Sequence, residues 1–587
     1  MVSLTIDGIQ TQVAEGTTVL EAARGVGAYI PTLCYFEGLS NVGACRVCVV
    51  EVEGSERLEA ACNTPVREGM AVMTASPRAE AARRTNLELL ASTHSFDCVD
   101  CVRGDGTCIF RKLLLRYGVD VKSPDFADLT PKGRRVEWFD EAVIQRNAAK
   151  CVQCGRCVAA CAEIQGLGVW EFAGTGPHAR ISSAGNKRLP EAGCIACGQC
   201  ITHCPTGALS ERDDVARMME AFRDPEVTTV IQIAPATRTA WADAFGNETG
   251  ELGVERMCAC LKALGADYVF DTSFTADLTI MEEGTELLNI VKSGETDKLP
   301  LFTSCCPGWV QHAVNKHPMA ANHLSTAKSP MQMFGSLVKT WWADKNALAP
   351  EKIFSVALMP CTAKKAETRV PGMQAVEDVD DMDLSLTTRE LVRMVRNAGI
   401  DPNALEDVPL DDPLGTATGA GVIFGITGGV MEAALRTAYT IMTGEKPDPD
   451  GFVFQSAGEG RPWTEATFDM AGVPLRCAVV HGIGHADVLL DALERGEVGY
   501  DFVEVMACPG GCAGGGGQPI DGSDTEPAAV RGAVLRNLDK KSFPLRFSHE
   551  NPVVAKVYEE FYGEPCSEIS ERYLHVHERQ LSPCMEA

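Results

Sequence analysis

Cys151-x2-Cys154-x2-Cys157-x3-Cys161 and Cys194-x2-Cys197-x2-Cys200-x3-Cys204-Pro205 use one spacing twice, and that repeat decides what kind of chain this is. It is the spacing that holds two 4Fe–4S clusters in one small domain, the fourth cysteine of each run reaching across to the other cluster. Cys151, Cys154, Cys157 and Cys204 would hold one centre, and Cys194, Cys197, Cys200 and Cys161 the second. Disulfides or zinc do not account for a duplicated spacing of this kind. Ala162 stands where the first run would usually carry proline, a minor loop variation.

The composition agrees. A chain of 587 residues, 45% of them apolar, has room for roughly three to five domains with cores of their own. Its 25 cysteines follow no leader: Met1-Val2-Ser3-Leu4-Thr5-Ile6-Asp7 opens on a strand-like alternation, and Arg83-Arg84 lies too deep for a twin-arginine signal. No apolar run reaches the ~18 residues that a membrane span needs. These features imply a cytoplasmic protein with no membrane partner, whose thiols are metal ligands. The net charge of −27 argues against nucleic acid or anionic membrane as partners, and serves solubility or docking.

Toward the N-terminus lie two further ligand sets. Residues 1–78 begin with alternating Val2, Leu4 and Ile6 and a helical stretch near 19–26, then supply Cys34, Cys45, Cys48 and Cys62 as C-x10-C-x2-C-x13-C. Gly43 and Arg46 flank the close pair, in a loop that can turn its amide N–H groups toward sulfur. Four loop thiolates suit a 2Fe–2S centre; zinc is the alternative. In His94-x3-Cys98-x2-Cys101-x6-Cys108, three thiolates and an imidazole could equally hold zinc.

Toward the C-terminus the texture changes, from about residue 217, to buried strands alternating with helices. Strands are expected over 227–233, ending in Ala234-Pro235, over 356–359, ending at Cys361, and over 502–506, just before Cys508. Functional residues at strand ends are where α/β folds build their sites. Three motifs fall there or nearby: Thr303-Ser304-Cys305-Cys306-Pro307-Gly308-Trp309, residues 359–367 (MPCTAKKAE) and residues 506–518 (MACPGGCAGGGGQ). Cys306, Cys361, Cys508 and Cys512 match in number the thiolates of an iron–sulfur cubane. Neighbouring side chains in an extended segment point to opposite faces, so Cys305 and Cys306 have different jobs.

On these motifs the chain resembles the iron-only hydrogenases, over essentially its whole length, and its N-terminal region also resembles respiratory-complex subunits. The resemblance implies an α+β multidomain fold: a β-grasp 2Fe–2S ferredoxin-like domain (1–78), a small His-ligated 4Fe–4S domain (79–137), a bacterial two-4Fe–4S ferredoxin domain (138–216) and a large α/β catalytic domain (217–587) with a wrapping C-terminal segment. It favours a 4Fe–4S cluster over zinc at His94. A neutral imidazole leaves such a cluster one negative charge lighter, which raises its potential.

The resemblance also implies roles. Cys306, Cys361, Cys508 and Cys512 would ligate the cubane, with Cys512 bridging to a two-iron subcluster that carries CO, cyanide and a dithiolate. Lys364 would hydrogen-bond a cyanide, while Lys365 reads as a surface lysine. Cys305, Glu283, Ser325 and Glu286 would carry protons; the two glutamates lie three apart, on one helix face. Ala234, Pro235, Ser329 and Met359 would line the pocket, whereas Met331 and Ala236 stand at positions that are polar in relatives. The expected activity is reversible oxidation of H2. Electrons would pass through one 2Fe–2S and three accessory 4Fe–4S clusters to a diaphorase-type flavoprotein or a ferredoxin-like partner in a hetero-oligomer, and maturation proteins would build the cluster. The alternatives are a hydrogen sensor or non-turnover relative, or a plain electron-transfer subunit.

One motif points elsewhere. Val479-Val480-His481-Gly482-Ile483-Gly484-His485-Ala486-Asp487 reads as strand, G-x-G and helix, but Asp487 takes the place of the third glycine of a dinucleotide site. A tight strand-to-helix turn explains it. Cys258, Cys260, Cys477, Cys566 and Cys584 receive no metal.

Overall fold

The structure, a computed structural model, describes residues 1–99, 101–104, 106–123, 126, 142–176, 179–520 and 522–580. The expected 137/138 boundary and Cys584 lie outside the described residues.

The N-terminal alternation buries Leu4 and Ile6 on one face of the strand Val2–Ile6. That strand lies in a five-stranded sheet, between Ile9–Val13 and Met70–Met73, with Val49–Val52 and Glu59–Ala60 beyond. The helix Val19–Gly25 packs its Val19, Leu20, Ala22 and Ala23 into the same core. Thr18 starts this helix: its hydroxyl accepts the Glu21 N–H, and the Glu21 carboxylate accepts the Thr18 N–H. Buried Arg83, on the following helix Pro77–Ala91, donates to the carbonyls of Val49 and Thr74 and so ties that helix to the sheet.

The duplicated cysteine runs fold as duplicates. Gln153 and Ala196 hold matching left-handed conformations, at φ 53° and 54°, and Gly155 and Gly198 follow at 77° and 76°. This backbone curls each loop around its cysteines. The Gln153 N–H donates to Cys151 Sγ and the Ala196 N–H to Cys194 Sγ, both at 3.4 Å.

Two sheets build the remainder. One is fully parallel, in the order Tyr268–Asp271, Thr228–Ile233, Ile353–Met359, Leu384–Thr387. The other runs Leu301–Phe302, Phe502–Met506, Val473–His481, Thr464–Met470, Gln455–Ser456, parallel over its first three strands and antiparallel beyond. The long helix Thr272–Ser293 serves both: Phe274 and Leu278 join the core of the parallel sheet, Ala276 and Ile280 that of the other. The C-terminal segment is helical over Pro552–Val557, widens over Tyr558–Tyr562, and packs Val554, Val557, Tyr558 and Tyr562 onto the first of these cores. Among the described residues no helix is long and apolar enough to cross a membrane.

Candidate active site

Four chain segments leave the C-terminal ends of parallel strands and meet around one cavity of about 90 Å³. They are Ala234-Pro235 after Ile233, Cys305-Cys306 beyond Phe302, Cys361 beyond Met359, and Cys508 beyond Met506. Cys512, Lys364 and Met359 complete the polar and sulfur lining, and Ala236, Met331 and Phe424 make much of the rest apolar. Gly515 allows the last motif to reach in: a β-carbon there would lie 2.2 Å from the Pro360 carbonyl.

Cys306, Cys361, Cys508 and Cys512 are thus brought together. Burial pushes the Cys361 thiol up to about 11; Cys306 pushes the same way and Lys364 opposes it. Cys508 and Cys512 are raised further, by burial and then by Cys361 and Cys306. Thiols that oppose one another's ionisation this strongly become thiolates readily only with a cation among them. Cys306 Sγ also accepts the Ala507 N–H at 3.4 Å, as a ligating sulfur would.

Cys305 is placed differently. Burial raises its thiol well above the usual range, and Glu283 is the next cause, so the two face each other. Glu283 lies on the helix Thr272–Ser293, 1% exposed, its carboxyl pushed up to about 8 by burial and then by Glu286. Ser325 stands between the two carboxylates: its hydroxyl donates to Glu286 Oε2 at 2.7 Å and also bears on Glu283. Glu286, half-buried, accepts further bonds from Thr326 N and Oγ1 at 3.0 and 2.8 Å. The expected proton-path residues therefore form one connected group, running outward from the cavity.

Lys364 Nζ donates to Cys305 O at 3.1 Å and to Glu367 Oε2 at 2.5 Å, which engages two of its three N–H donors beside the cavity. Burial opposes its charge, but Glu367 outweighs it and the amine is raised. Lys365 is not a surface lysine. It is fully buried and bridges Asp214 Oδ2 at 2.7 Å and Glu390 Oε2 at 2.9 Å, because the short helix Lys364–Glu367 turns it inward toward two carboxylates distant in sequence. Ser329 is buried but stands outside the lining: it caps the helix Pro330–Leu337, and Pro330 and Met331 of that helix reach the cavity instead.

The accessory ligands form their own groups. Cys34 is linked to Cys45 and Cys62, and Cys62 to Cys48, by side-chain hydrogen bonds; those from Cys45 and Cys62 hold the Cys34 thiol well below its usual range. Cys154 and Cys157 face Cys151 and Cys204, and Cys200 faces Cys194 and Cys161, the crossed pairing expected from the repeat. Cys101 faces Cys98, and Cys108 faces Cys101. His94 is buried, Nδ1 has no protein partner, and burial lowers its pKa to about 4, leaving a neutral imidazole fit for ligation.

Arg579, Thr326 and Glu367 also bear on the site, and the sequence assigned them no role. Half-buried Arg579, from the C-terminal segment, donates to Ser304 Oγ and to the carbonyls of Ser325 and Ala327. Thr326 joins Glu286 to His575 Nδ1 at 2.8 Å, and His575 in turn meets Glu282. Glu367 could have been read as the i+3 partner of Lys364.

A fold of clustered cysteine loops feeding an apolar, thiol-lined cavity defines an iron–sulfur redox protein, and the chain belongs to the iron-only hydrogenase family. Residues 227–516 match the iron-only hydrogenase large subunit, C-terminal domain, and 525–577 the iron hydrogenase small subunit. Residues 1–77 match a 2Fe–2S iron–sulfur cluster binding domain, 83–122 the NADH-ubiquinone oxidoreductase-G iron–sulfur binding region, and 150–208 a 4Fe–4S dicluster domain. The chain is 43% identical to the NADP-reducing hydrogenase subunit HndD of Solidesulfovibrio fructosivorans, over 98% of each. It is 36% identical to iron hydrogenase 1 of Clostridium pasteurianum, over 98% of this chain and 99% of that one. A solved FeFe-hydrogenase from Chlamydomonas reinhardtii is similar at 35% identity and TM-score 0.56, covering 63% of this chain and 99% of its own.

Proposed function

We propose that the chain interconverts H2 with protons and electrons in the cytoplasm, and that its accessory clusters pass the electrons to a partner subunit for NAD(P) reduction or to a ferredoxin. The observation that carries this reading is the contact between the four-cysteine cavity and the buried Cys305–Glu283–Ser325–Glu286 group.

Cys306, Cys361, Cys508 and Cys512 would hold the cubane, and Ala234, Pro235, Met359 and Lys364 would line the space for the two-iron unit. When bound, that group supplies the cleavage of H2 and takes up its electrons. The chain's own residues do the rest. The apolar wall excludes water, and Lys364 places a cation where an anionic ligand would lie. Cys305, held as a neutral thiol by burial, gives its S–H proton to Glu283 and is reprotonated from the cavity side. A carboxyl with a pKa near 8 gains and loses protons around neutral pH. The Ser325 hydroxyl passes the proton to Glu286, and half-buried Glu286 releases it outward.

On the electron side, Cys34, Cys45, Cys48 and Cys62 would hold a 2Fe–2S cluster, and His94 with Cys98, Cys101 and Cys108 a 4Fe–4S cluster; the two crossed quartets hold two more. The charge of Cys508 raises the Cys197 thiol through space, and Thr362 Oγ1 donates to Ala196 O at 2.6 Å. The cluster on Cys161, Cys194, Cys197 and Cys200 is therefore the one that exchanges electrons with the active site. The N-terminal resemblance to respiratory-complex subunits favours a flavoprotein partner.

The test is turnover by the matured chain alone. It should oxidise H2 with an artificial dye and reduce no nicotinamide until a flavoprotein subunit is added. No dye reduction would remove the hydrogenase reading; nicotinamide reduction by the isolated chain would remove the partner reading.

A further inference from the structure

We propose that His312, His317 and Asp487 form a binding site for a divalent metal of the zinc type, which staples the helix that follows Cys306 to the helix that carries Asp487. His312 Nε2 and His317 Nε2 both face Asp487 Oδ1, at 2.6 and 3.1 Å. One ligand atom from each of the three residues lies within 4.8 Å of the others. A metal held at about 2.0–2.1 Å by imidazole and carboxylate sets its ligand atoms about 3.0–3.4 Å apart. Small side-chain movements therefore suffice to admit one. Two imidazoles and a carboxylate with an open position are a donor set that zinc accepts.

The site is rooted in the core and open on one side. The His312 side chain is 1% exposed, that of His317 17% and that of Asp487 34%, which leaves room for water as a fourth ligand.

Its position gives the metal a job. His312 lies on the helix Pro307–Lys316, which begins directly after Cys306, and His317 caps the end of that helix. Asp487 lies on the helix Ile483–Glu494. The Asp487 helix also rests on the turn that follows Cys161. There Gln165 Nε2 donates to Ala507 O at 2.7 Å, Gln165 Oε1 accepts the Ile483 N–H at 3.3 Å, and Gly484 comes so close to Gly166 that a β-carbon on Gly484 would lie 3.2 Å from the Gly166 nitrogen. A metal on the three side chains locks the two helices, Pro307–Lys316 and Ile483–Glu494, together. It also accounts for the aspartate where a dinucleotide motif would carry glycine.

The experiment uses the matured, cluster-replete protein, treated with EDTA at a level that leaves its iron content unchanged and then titrated calorimetrically with Zn2+. One zinc per chain should bind, with a matching rise in unfolding temperature. Asp487→Asn keeps the shape and removes the ligand charge; it should weaken zinc binding at least about tenfold. His317→Gln, on the open side of the site, should do the same with iron content unchanged, and it decides the matter if Asp487→Asn fails to fold. Wild-type protein that takes up no zinc, or a folded variant that binds zinc as tightly as wild type, would overturn the proposal and leave a hydrogen-bonded His–Asp–His cluster only.

Discussion

A β-carbon placed on Gly516 would lie 2.1 Å from the carbonyl oxygen of Cys197, and Gly198 packs against the same glycine. The last active-site motif and an accessory-cluster loop are thus in backbone contact, an approach that only glycine permits. Gly516→Ala must push the two segments apart, at a cost of about 1–3 kcal/mol from overpacking. The variant should unfold at a lower temperature, and H2 should reduce its accessory clusters more slowly. Calorimetry and freeze-quench EPR under H2 check the two effects.

Glu283 makes stability depend on pH in a definite direction. Its carboxyl is raised from 4.5 to about 8 in the folded chain, so between those values the native state binds more protons than the unfolded one. Stability contributed at this site is full below 4.5 and falls as pH rises toward 8. Glu283→Gln cannot ionise. It should unfold at a higher temperature than wild type at pH 8, with the gap closing toward pH 5, while turnover falls about 10²–10⁴-fold. Thermal unfolding across that range, beside a dye-linked assay, reads both.

Lys365 compensates two carboxylates in the interior. Lys365→Ala leaves buried Glu390 without its cation, while Asp214 keeps Arg212, and breaking a buried pair in this way costs about 3–5 kcal/mol. The expected result is a large drop in unfolding temperature and in the yield of soluble protein. A shift of less than a degree would show that these carboxylates are neutral in the native chain.

His94 sets the charge of its proposed cluster. His94→Cys adds a thiolate and should lower the midpoint potential of one 4Fe–4S signal while leaving the number of clusters unchanged. Redox titration followed by EPR measures the shift. Stoichiometric zinc in wild-type protein, in place of that signal, would reassign the site.

Much of this architecture could be read along the chain because local spacing carried it. The strand ends before Ala234, Cys361 and Cys508 follow from short apolar runs broken by proline or cysteine, and the paired loops at Gln153 and Ala196 follow from one spacing used twice. Glu283 and Glu286 could be placed together because a helix puts residues three apart on one face. Lys365 could not be placed this way. A Lys-Lys pair looks solvated until Asp214 and Glu390, each far away in sequence, are seen to converge on it. Arg579 and the His312–Asp487 pair were hidden for the same reason: long-range packing, not any local period, decides what they touch.

The most direct test concerns the two neighbours Cys305 and Cys306, read by the infrared bands of iron-bound CO and cyanide in the matured protein. If Cys306 ligates the cubane and Cys305 carries protons, Cys305→Ala should keep the wild-type bands and lose turnover at least about 10²-fold, while Cys306→Ala should lose the bands altogether. Wild-type bands in Cys306→Ala, or near-normal turnover in Cys305→Ala with its bands intact, would contradict the division of labour proposed for the site.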